Sequence, residues 1–320
     1  MARYILRRIA VSIPILLGVT VITFLFVNLV PGDYIDSLID PEVSSATRAD
    51  YEALEEQLGL DQPAPVRYLR WLEETAKGNL GYSLATRKPV RVEIMRRLPT
   101  TLKLTATSLA FAVTLGVTLG VISALRPYSW LDYGLTFWGF VWISVPSFFA
   151  AMGAIYLLAI KFPIFPVAGT GPRGVADVPL HVQFEYLVLP AGILGLERVA
   201  GFMRYARSSM LDVLGQDYVT VARAKGLRPW RVVSRHAFRN ALLPLITVIG
   251  LSLPSLIGGS VIIEAIFGWS GIGTMSLTAV TQRDYPVILG VNLVAAIMVL
   301  GSSLLADLAY AVADPRIRYG

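Results

Sequence analysis

The sequence predicts an all-α polytopic membrane protein with six transmembrane helices. Hydrophobic residues make up 55% of its 320 residues and charged residues only 16%, whereas soluble domains average about 25% charged residues. Long charge-free runs recur along the chain, and a helix needs about 20 apolar residues to cross a bilayer. These observations exclude an ordinary soluble enzyme.

Six apolar runs supply the predicted spans. The fourth is interrupted by Glu197, Arg198 and Arg204, and it is included because an even number of spans reconciles the charges of the loops. The first run lacks a small-residue cleavage site, so it is predicted to be a retained helix rather than a signal peptide. The six runs are Ile9 to Val30, Leu104 to Leu125, Tyr133 to Ile160, Tyr186 to Tyr205, Ala241 to Ile263 and Pro286 to Ala306.

Basic residues are concentrated in two regions outside the spans. Residues 204–240 carry eight basic residues against two acidic ones, and residues 1–8 carry three arginines and no acid. Because lysine and arginine collect in cytoplasmic loops, both termini and residues 204–240 are predicted to lie in the cytoplasm. The net charge of +6 therefore indicates orientation rather than nucleic-acid binding.

Residues 31–103 then form a segment outside the cytoplasm. Apolar residues recur at helical spacing near residues 51–58 and 68–72, which predicts short surface helices. A disordered loop is the alternative, although the aromatic and leucine content is high for disorder. The chain is thus divided into a stub with the first span (residues 1–30), this external segment, and a core of five spans (residues 104–320).

The residues required for common enzyme chemistry are absent from the sequence. Cysteine does not occur, which excludes disulfides, thiolate catalysis and cysteine-ligated metals. His181 and His236 are too far apart to form a local metal motif, and neither GxSxG nor HExxH occurs. No Gly-Lys dipeptide occurs, so the chain has no P-loop for ATP. We therefore predict no catalytic residue, metal site or bound cofactor, and the chain is not expected to be an enzyme.

A pair of short helices is predicted within the basic loop. Apolar residues over 210–224 have helical spacing, and Gly226 is placed to end that helix with a positive φ. Pro229 suits the first turn of a second helix that continues into the next span. The small side chains of Ala222 and Ala224 are expected to allow close approach by another protein. A basic loop of this kind can also serve only as a topological anchor.

Four pieces of this loop stand in a specific order. They are Asp217-Tyr218-Val219, Ala222 to Leu227, Arg235-His236 and Arg239 to Pro244. This order resembles the EAA loop of permeases in binding-protein-dependent ABC importers, in particular the dipeptide and oligopeptide permease family. Thr220 and Val221 stand where the general motif has glutamate and its first alanine, so no glutamate-mediated contact is expected there.

Other pieces along nearly the whole chain are similar to the same family. They are Tyr4 to Arg8, Val30 to Asp33, Leu58 to Pro63, Gly78 to Ser83, Arg97 to Thr101, Ser144 to Phe148 and Glu264 to Gly273. The resemblance implies a pore-forming subunit in a prokaryotic plasma membrane. The implied partners are a homologous second permease, two ABC ATPase subunits or domains, an extracytoplasmic substrate-binding protein and the lipid bilayer, without nucleic acid. ATP and Mg²⁺ would be bound by the ATPases, and this chain would hold no cofactor.

The resemblance also implies roles for individual residues. The loop is expected to sit in an ATPase cleft and to carry its motion into the membrane helices. The expected coupling residues are Asp217, Tyr218, Thr220, Ala222, Arg223, Ala224, Lys225, Gly226, Arg235, Arg239 and Asn240. Candidates for the translocation pathway or gate are Pro146, Ser147, Glu197, Arg198, Glu264 and Gly271, and candidates for contact with the binding protein are Gln282, Arg283 and Asp284.

Two pairs of residues within the spans have several interpretations. Glu197 and Arg198 could line a cavity between two permeases, form an ion pair with a neighbouring helix, or lie near the headgroups. Gly116 and Gly120 form a GxxxG pattern that predicts close helix packing.

The expected function is the import of dipeptides or oligopeptides. Nickel complexes and glutathione are alternative substrates within the same family. A self-sufficient secondary carrier would usually show inverted repeats and several ionisable residues in the membrane, and here only Glu197 and Arg198 qualify. A membrane scaffold without transport is a third hypothesis, but it has no use for proline-bent spans.

Overall fold

A computed structural model describes residues 2–29, 62–172, 174–175, 178–254 and 260–313 of the chain. These residues are almost entirely helical, and among them the only β pairing is an isolated bridge between Tyr82 and Pro89. The all-α class is therefore confirmed. The helix expected near residues 51–58, and the family-like pieces within residues 30–61, lie outside the described residues.

Twelve helical elements are named here in chain order. Two of them are extended by π-helical turns: α5 by Tyr156–Lys161, and α8 by Val232–Phe238. The helices are α1 (Ala2–Leu29), α2 (Ala64–Ala76), α3 (Val90–Leu125), α4 (Trp130–Ser144), α5 (Ser147–Ile155), α6 (Leu180–Leu214), α7 (Asp217–Ala224), α8 (Pro229–Arg231), α9 (Arg239–Ser252), α10 (Val261–Ile266), α11 (Ile272–Thr281) and α12 (Tyr285–Ala313).

Four helices of the described chain, α1, α3, α6 and α12, are long and apolar enough to cross a membrane. The predicted third span is not straight, because α4 and α5 meet at an angle of 98° and only together could form a fifth crossing. The bend occurs at Val145 and Pro146, both in extended conformation, as expected where proline disfavours helix in the preceding residue.

The predicted fifth span is divided in the structure. Helix α9 ends at Ser252, well before Ile263, and at its other end it is continuous with the π-helical stretch Val232–Phe238 and with α8. Residues 255–259 lie outside the described residues, and α10 follows them. Six spans, the orientation of the termini and the three-part division of the chain therefore remain predictions.

One compact unit consists of residues 1–100 and 271–298. Its main core joins the beginning of α3 to α11 and α12 through apolar residues around Ile94 and Met275. Tyr68 of α2 packs edge-on against Phe24 of α1, and its hydroxyl shares a hydrogen bond of 2.9 Å with Thr20. This contact attaches the short helix α2 to the first apolar helix.

The second compact unit consists of residues 101–270 and 299–320. Helix α6 lies at its centre, with α4, α5 and α9 packed on it. The backbones of α3 and α6 approach closely: a Cβ on Gly120 would lie 2.4 Å from the Met203 carbonyl oxygen, and one on Gly116 would lie 2.8 Å from that of Val199. The packing role predicted for the GxxxG pattern is therefore confirmed.

Candidate functional site

The 217–240 segment folds as two short helices joined by a glycine turn. Gly226 has φ of +73°, the left-handed conformation that glycine adopts without strain. No other atom lies within 4 Å of a Cβ built at this position, so conformation and not space selects glycine. Pro229 begins the second helix, as predicted.

The first predicted helix of this segment is not continuous. Helix α6 ends at Leu214, and α7 begins at Asp217. The break lies at Gly215 and Gln216, and the backbone is extended at Gln216. The expectation of one helix over 210–224 was therefore wrong. Glycine weakens a helix interior, and an aspartate in the first turn favours a new helix start. The break allows α7 to point away from the axis of α6.

The inner face of the 217–240 segment forms a small apolar cluster. Val219, Ala222 and Val232 are buried, and Val213 and Leu214 at the end of α6 pack against them. Ala222 thus faces inward, and only Ala224 of the expected small-residue patch is exposed. The cluster fixes the two short helices to the end of the central helix.

The outer face of the 217–240 segment is basic and polar. The Asn240 amide donates a hydrogen bond of 2.9 Å to the Tyr218 hydroxyl, which links α7 to α9. Apart from Ala222, all the predicted coupling residues expose their side chains on this segment: Asp217, Tyr218, Thr220, Arg223, Ala224, Lys225, Arg235, Arg239 and Asn240, with the turn at Gly226. Such a surface complements an acidic or polar cleft.

An ion pair near the end of α6 was missed by the sequence analysis. Arg207 of α6 donates two hydrogen bonds to Asp132, 2.8 Å to Oδ1 and 2.7 Å to Oδ2. Ser123 at the end of α3 and the Tyr128 amide also donate to this carboxylate. The sequence signal that could have identified Asp132 is its position three residues after Ser129. The Ser129 hydroxyl caps α4 by accepting a hydrogen bond from the Asp132 amide.

The candidate pathway residues do not form one open site in the described structure. Pro146 and Ser147 lie at the 98° bend. Glu197 is exposed on α6, and Arg198 is partly buried. Gly271 is buried before α11.

The candidate gate residue Glu264 lies in the packed interior of the second unit. Its carboxylate is fully buried. It accepts hydrogen bonds from the Thr101 hydroxyl at 2.8 Å and from the Ser260 hydroxyl at 3.1 Å, both at Oε1. Two hydroxyl donors compensate part of the cost of burying a carboxylate, and the bond from Thr101 links α3 to α10.

The three residues considered for binding-protein contact differ in exposure. Gln282 and Arg283 are exposed, whereas Asp284 is 2% exposed. The Ser83 hydroxyl donates to Asp284 Oδ2 at 2.5 Å, and the Ala85 amide lies 3.4 Å from the same oxygen. Asp284 Oδ1 has no hydrogen-bond partner among the described residues, and the residue lines a cavity of about 50 Å³ within the first unit.

No group of three or more potential metal-ligating side chains occurs among the residues that the structure describes. The candidate site therefore consists of the 217–240 segment and the end of α6, on which the segment packs through its apolar cluster.

Comparisons with known proteins agree along the whole chain. The chain is 43% identical over 320 residues to the oligopeptide transport system permease protein AppB of Bacillus subtilis, covering 100% of both chains. It is 38% identical over 337 residues to the dipeptide transport system permease protein DppB of Alkalihalophilus pseudofirmus, again with full coverage of both. A putative peptide permease of Brucella suis is 43% identical over 319 residues, 99% of each chain.

A solved structure shares the fold of this chain, and two family models match its sequence. An inward-facing structure of the MetNI methionine ABC transporter matches with a TM-score of 0.55 and 17% identity, covering 69% of this chain and 96% of that one. This likeness shows a shared fold. Residues 1–105 match the N-terminal component, and residues 116–319 match the main component, of one transport family. The chain therefore belongs to the family of binding-protein-dependent transport system inner membrane components.

Proposed function

We propose that this chain is the permease subunit of an ATP-driven importer for dipeptides or oligopeptides. Family membership supports import, and the names of relatives similar over their full length support a peptide substrate. Because the chain has no P-loop, ATP hydrolysis is assigned to two ABC ATPase subunits that bind ATP and Mg²⁺. A homologous second permease and an external binding protein complete the proposed complex.

The observation that carries this mechanism is the packing of the 217–240 segment on the end of α6. In the proposed cycle its outer face, with Tyr218 and Arg223, sits in a cleft of one ATPase. Its inner face, with Val219 and Ala222, transmits the motion to α6 through the apolar cluster. A coupling element must bias two states of the helices it contacts, and a packed element can do so more directly than a flexible tether.

The proposed orientation places the 217–240 segment in the cytoplasm. The ion pair between Asp132 and Arg207 supports placing the turn before α4 on the same side as the end of α6. Loop charge assigns both to the cytoplasm. With six spans, both termini then share that side.

Glu197 is proposed to face the pathway between the two permease subunits. Its side chain is exposed on the surface of α6 in the isolated chain. A carboxylate on a spanning helix is costly against lipid and favours a polar cavity or another subunit. Glu197→Gln is expected to change substrate transport without changing membrane insertion, and unchanged transport would remove this role.

The proposal is tested by purifying the tagged chain from its native membranes in mild detergent and identifying associated proteins by mass spectrometry. A second permease, a P-loop ATPase and peptide uptake by the reconstituted complex are expected. Recovery of the folded chain alone, with uptake independent of ATP, would favour a secondary carrier.

Gly226→Ala tests the coupling role of the turn. The left-handed conformation costs a non-glycine residue about 1–2 kcal/mol, so the turn is expected to shift and tilt the second helix. We expect normal membrane insertion but loss of substrate-stimulated ATPase activity or of ATPase attachment. Gly134→Ala on α4, where a Cβ meets no atom within 4 Å, is the matched control and should behave as wild type.

A further inference from the structure

We propose that the Asp132–Arg207 ion pair is the joint that makes α4 move together with α6 and the 217–240 segment. This inference rests on the proposed function, because it concerns how motion of the coupling surface reaches the bent helix pair. Asp132 and Arg207 are thereby assigned as positioning residues, which contact neither substrate nor nucleotide.

The carboxylate of Asp132 is a completely satisfied buried group. It is 1% exposed and receives donors from three parts of the chain: Ser123 of α3, the Tyr128 amide in the turn, and both donors of Arg207. A bidentate arginine–carboxylate pair fixes relative orientation as well as distance. The pair is therefore suited to resist rotation of α4 about α6.

Arg207 lies two helical turns before the end of α6, next to the surface that holds the 217–240 segment. Met210 of α6 is fully buried in a cluster with Ala237 in the π-helical stretch Val232–Phe238 and Ala241 of α9. A displacement of the 217–240 segment thus acts on the same end of α6 that carries the arginine.

Asp132 lies in the first turn of α4, and the 98° bend to α5 lies at its other end. Gly139, midway along α4, lets this helix approach α6 closely. A Cβ added there would lie only 3.1 Å from Met203 Cε and 3.2 Å from Ala200 Cβ. Helix α4 is thus held to α6 at its beginning by charge and at its middle by close packing. With these attachments, movement of α6 is delivered to the bend.

The decisive measurement is the amount of peptide transported per ATP hydrolysed by the complete transporter in proteoliposomes. Asp132→Asn removes the charge but keeps an acceptor, and Arg207→Lys keeps the charge but loses the paired donors. For both we expect ATP hydrolysis within about twofold of wild type and transport per ATP reduced about tenfold, within the range of coupling energies between sites. The control is Asp212→Asn, which changes an exposed carboxylate on α6, the helix that carries Arg207. It should transport as much peptide per ATP as wild type.

A distance measurement separates a joint from a general structural support. The sequence contains no cysteine, so spin labels can be placed on cysteines introduced at the exposed positions Tyr133 of α4 and Ser208 of α6. In the otherwise unchanged protein, the distance should stay the same in the presence and absence of ATP. In Asp132→Asn it should broaden or become nucleotide-dependent.

Each outcome has a defined meaning. A label distance that changes with ATP in the protein with the intact pair, or transport per ATP that is normal in both variants, overturns the joint. If Asp132→Asn does not assemble, Arg207→Lys decides. If the unaltered chain neither binds an ATPase nor transports peptide with ATP, the proposed function is wrong, and the joint is wrong with it. If transport per ATP is normal in Asp132→Asn and Arg207→Lys while Gly226→Ala loses substrate-stimulated ATPase activity, only the joint is wrong.

Discussion

Asp132 and Asp284 are both buried aspartates that fasten a turn to a helix, but the two carboxylates differ in how many of their oxygens accept hydrogen bonds. Asp132 uses both oxygens and is paired with an arginine. Asp284 uses one oxygen, with a serine and a distant amide, and its other oxygen has no partner in the described part of the chain. A buried carboxylate that is fully satisfied specifies one geometry, whereas a half-satisfied one leaves its corner able to adjust.

The largest expected effect is that of Asp132→Ala. It leaves Arg207 partly buried without its carboxylate, and breaking a buried ion pair costs about 3–5 kcal/mol. We expect a marked fall in the apparent melting temperature of the purified chain in detergent, measured by intrinsic fluorescence. A loss no larger than that of Asp284→Ala would show that the two corners are energetically equivalent.

Glycine-to-alanine substitutions compare the packing beneath the two corners. A Cβ on Gly120 would lie 2.4 Å from a backbone oxygen of α6, while one on Gly290 would lie 2.8 Å from Cγ1 of the buried Val90 side chain. Overpacking costs about 1–3 kcal/mol, so Gly120→Ala is expected at the upper end of that range and Gly290→Ala at the lower. Thermal unfolding of both variants measures the difference, and an inverted order would contradict it.

Asp284→Asn is expected to have a small effect on stability. The asparagine oxygen still accepts from Ser83, and the substitution removes a charge whose second oxygen lacks a partner within the described parts of the chain. We expect a change within about 1 kcal/mol, in contrast to the cost of losing a buried acceptor. A large destabilisation would show that the charge itself has a partner in the assembled transporter, which unfolding of the purified chain and of the complete complex would distinguish.

The exposed carboxylate of Glu74 is expected to contribute least to stability among the carboxylates compared. Hydrogen bonds from Lys77 and then Asn79 lower the pKa of Glu74 in the last turn of α2, and hydrogen bonds to Glu73 and Glu74 raise the pKa of Lys77. Because the folded pKa of Glu74 is depressed, its stabilisation is present above the unfolded pKa and is lost as pH falls through the folded value. The difference in melting temperature between the unaltered chain and Glu74→Gln should be very small and should vanish at acidic pH.

Much of the fold could be predicted from the sequence because its signals are local. Long charge-free runs identify α1, α3 and α12, and proline and glycine mark the bend at Pro146 and the turn at Gly226. The break at Gly215 was missed, since helical periodicity continues through it and a glycine within a helix is often tolerated.

The contacts of the buried carboxylates could not be predicted. Asp132 meets Arg207 across 75 positions, and Glu264 meets Thr101 across 163, so the pairing depends on which helices pack together. Glu264 was predicted to belong to the pathway or gate, and Asp284 to contact the binding protein, and neither prediction indicated a buried side chain. Only the packed structure shows that both are interior.

The π-helical stretch Val232–Phe238 is a place where the sequence can lose one residue without losing the helix. A π turn closes an i to i+5 hydrogen bond and so contains one residue more than an α turn. If one residue is removed from this stretch, it can close as an ordinary α-helix that still joins α8 to α9. A single-residue gap in an alignment is therefore compatible with the same architecture here, whereas a deletion within α6 would rotate every following side chain by about 100°.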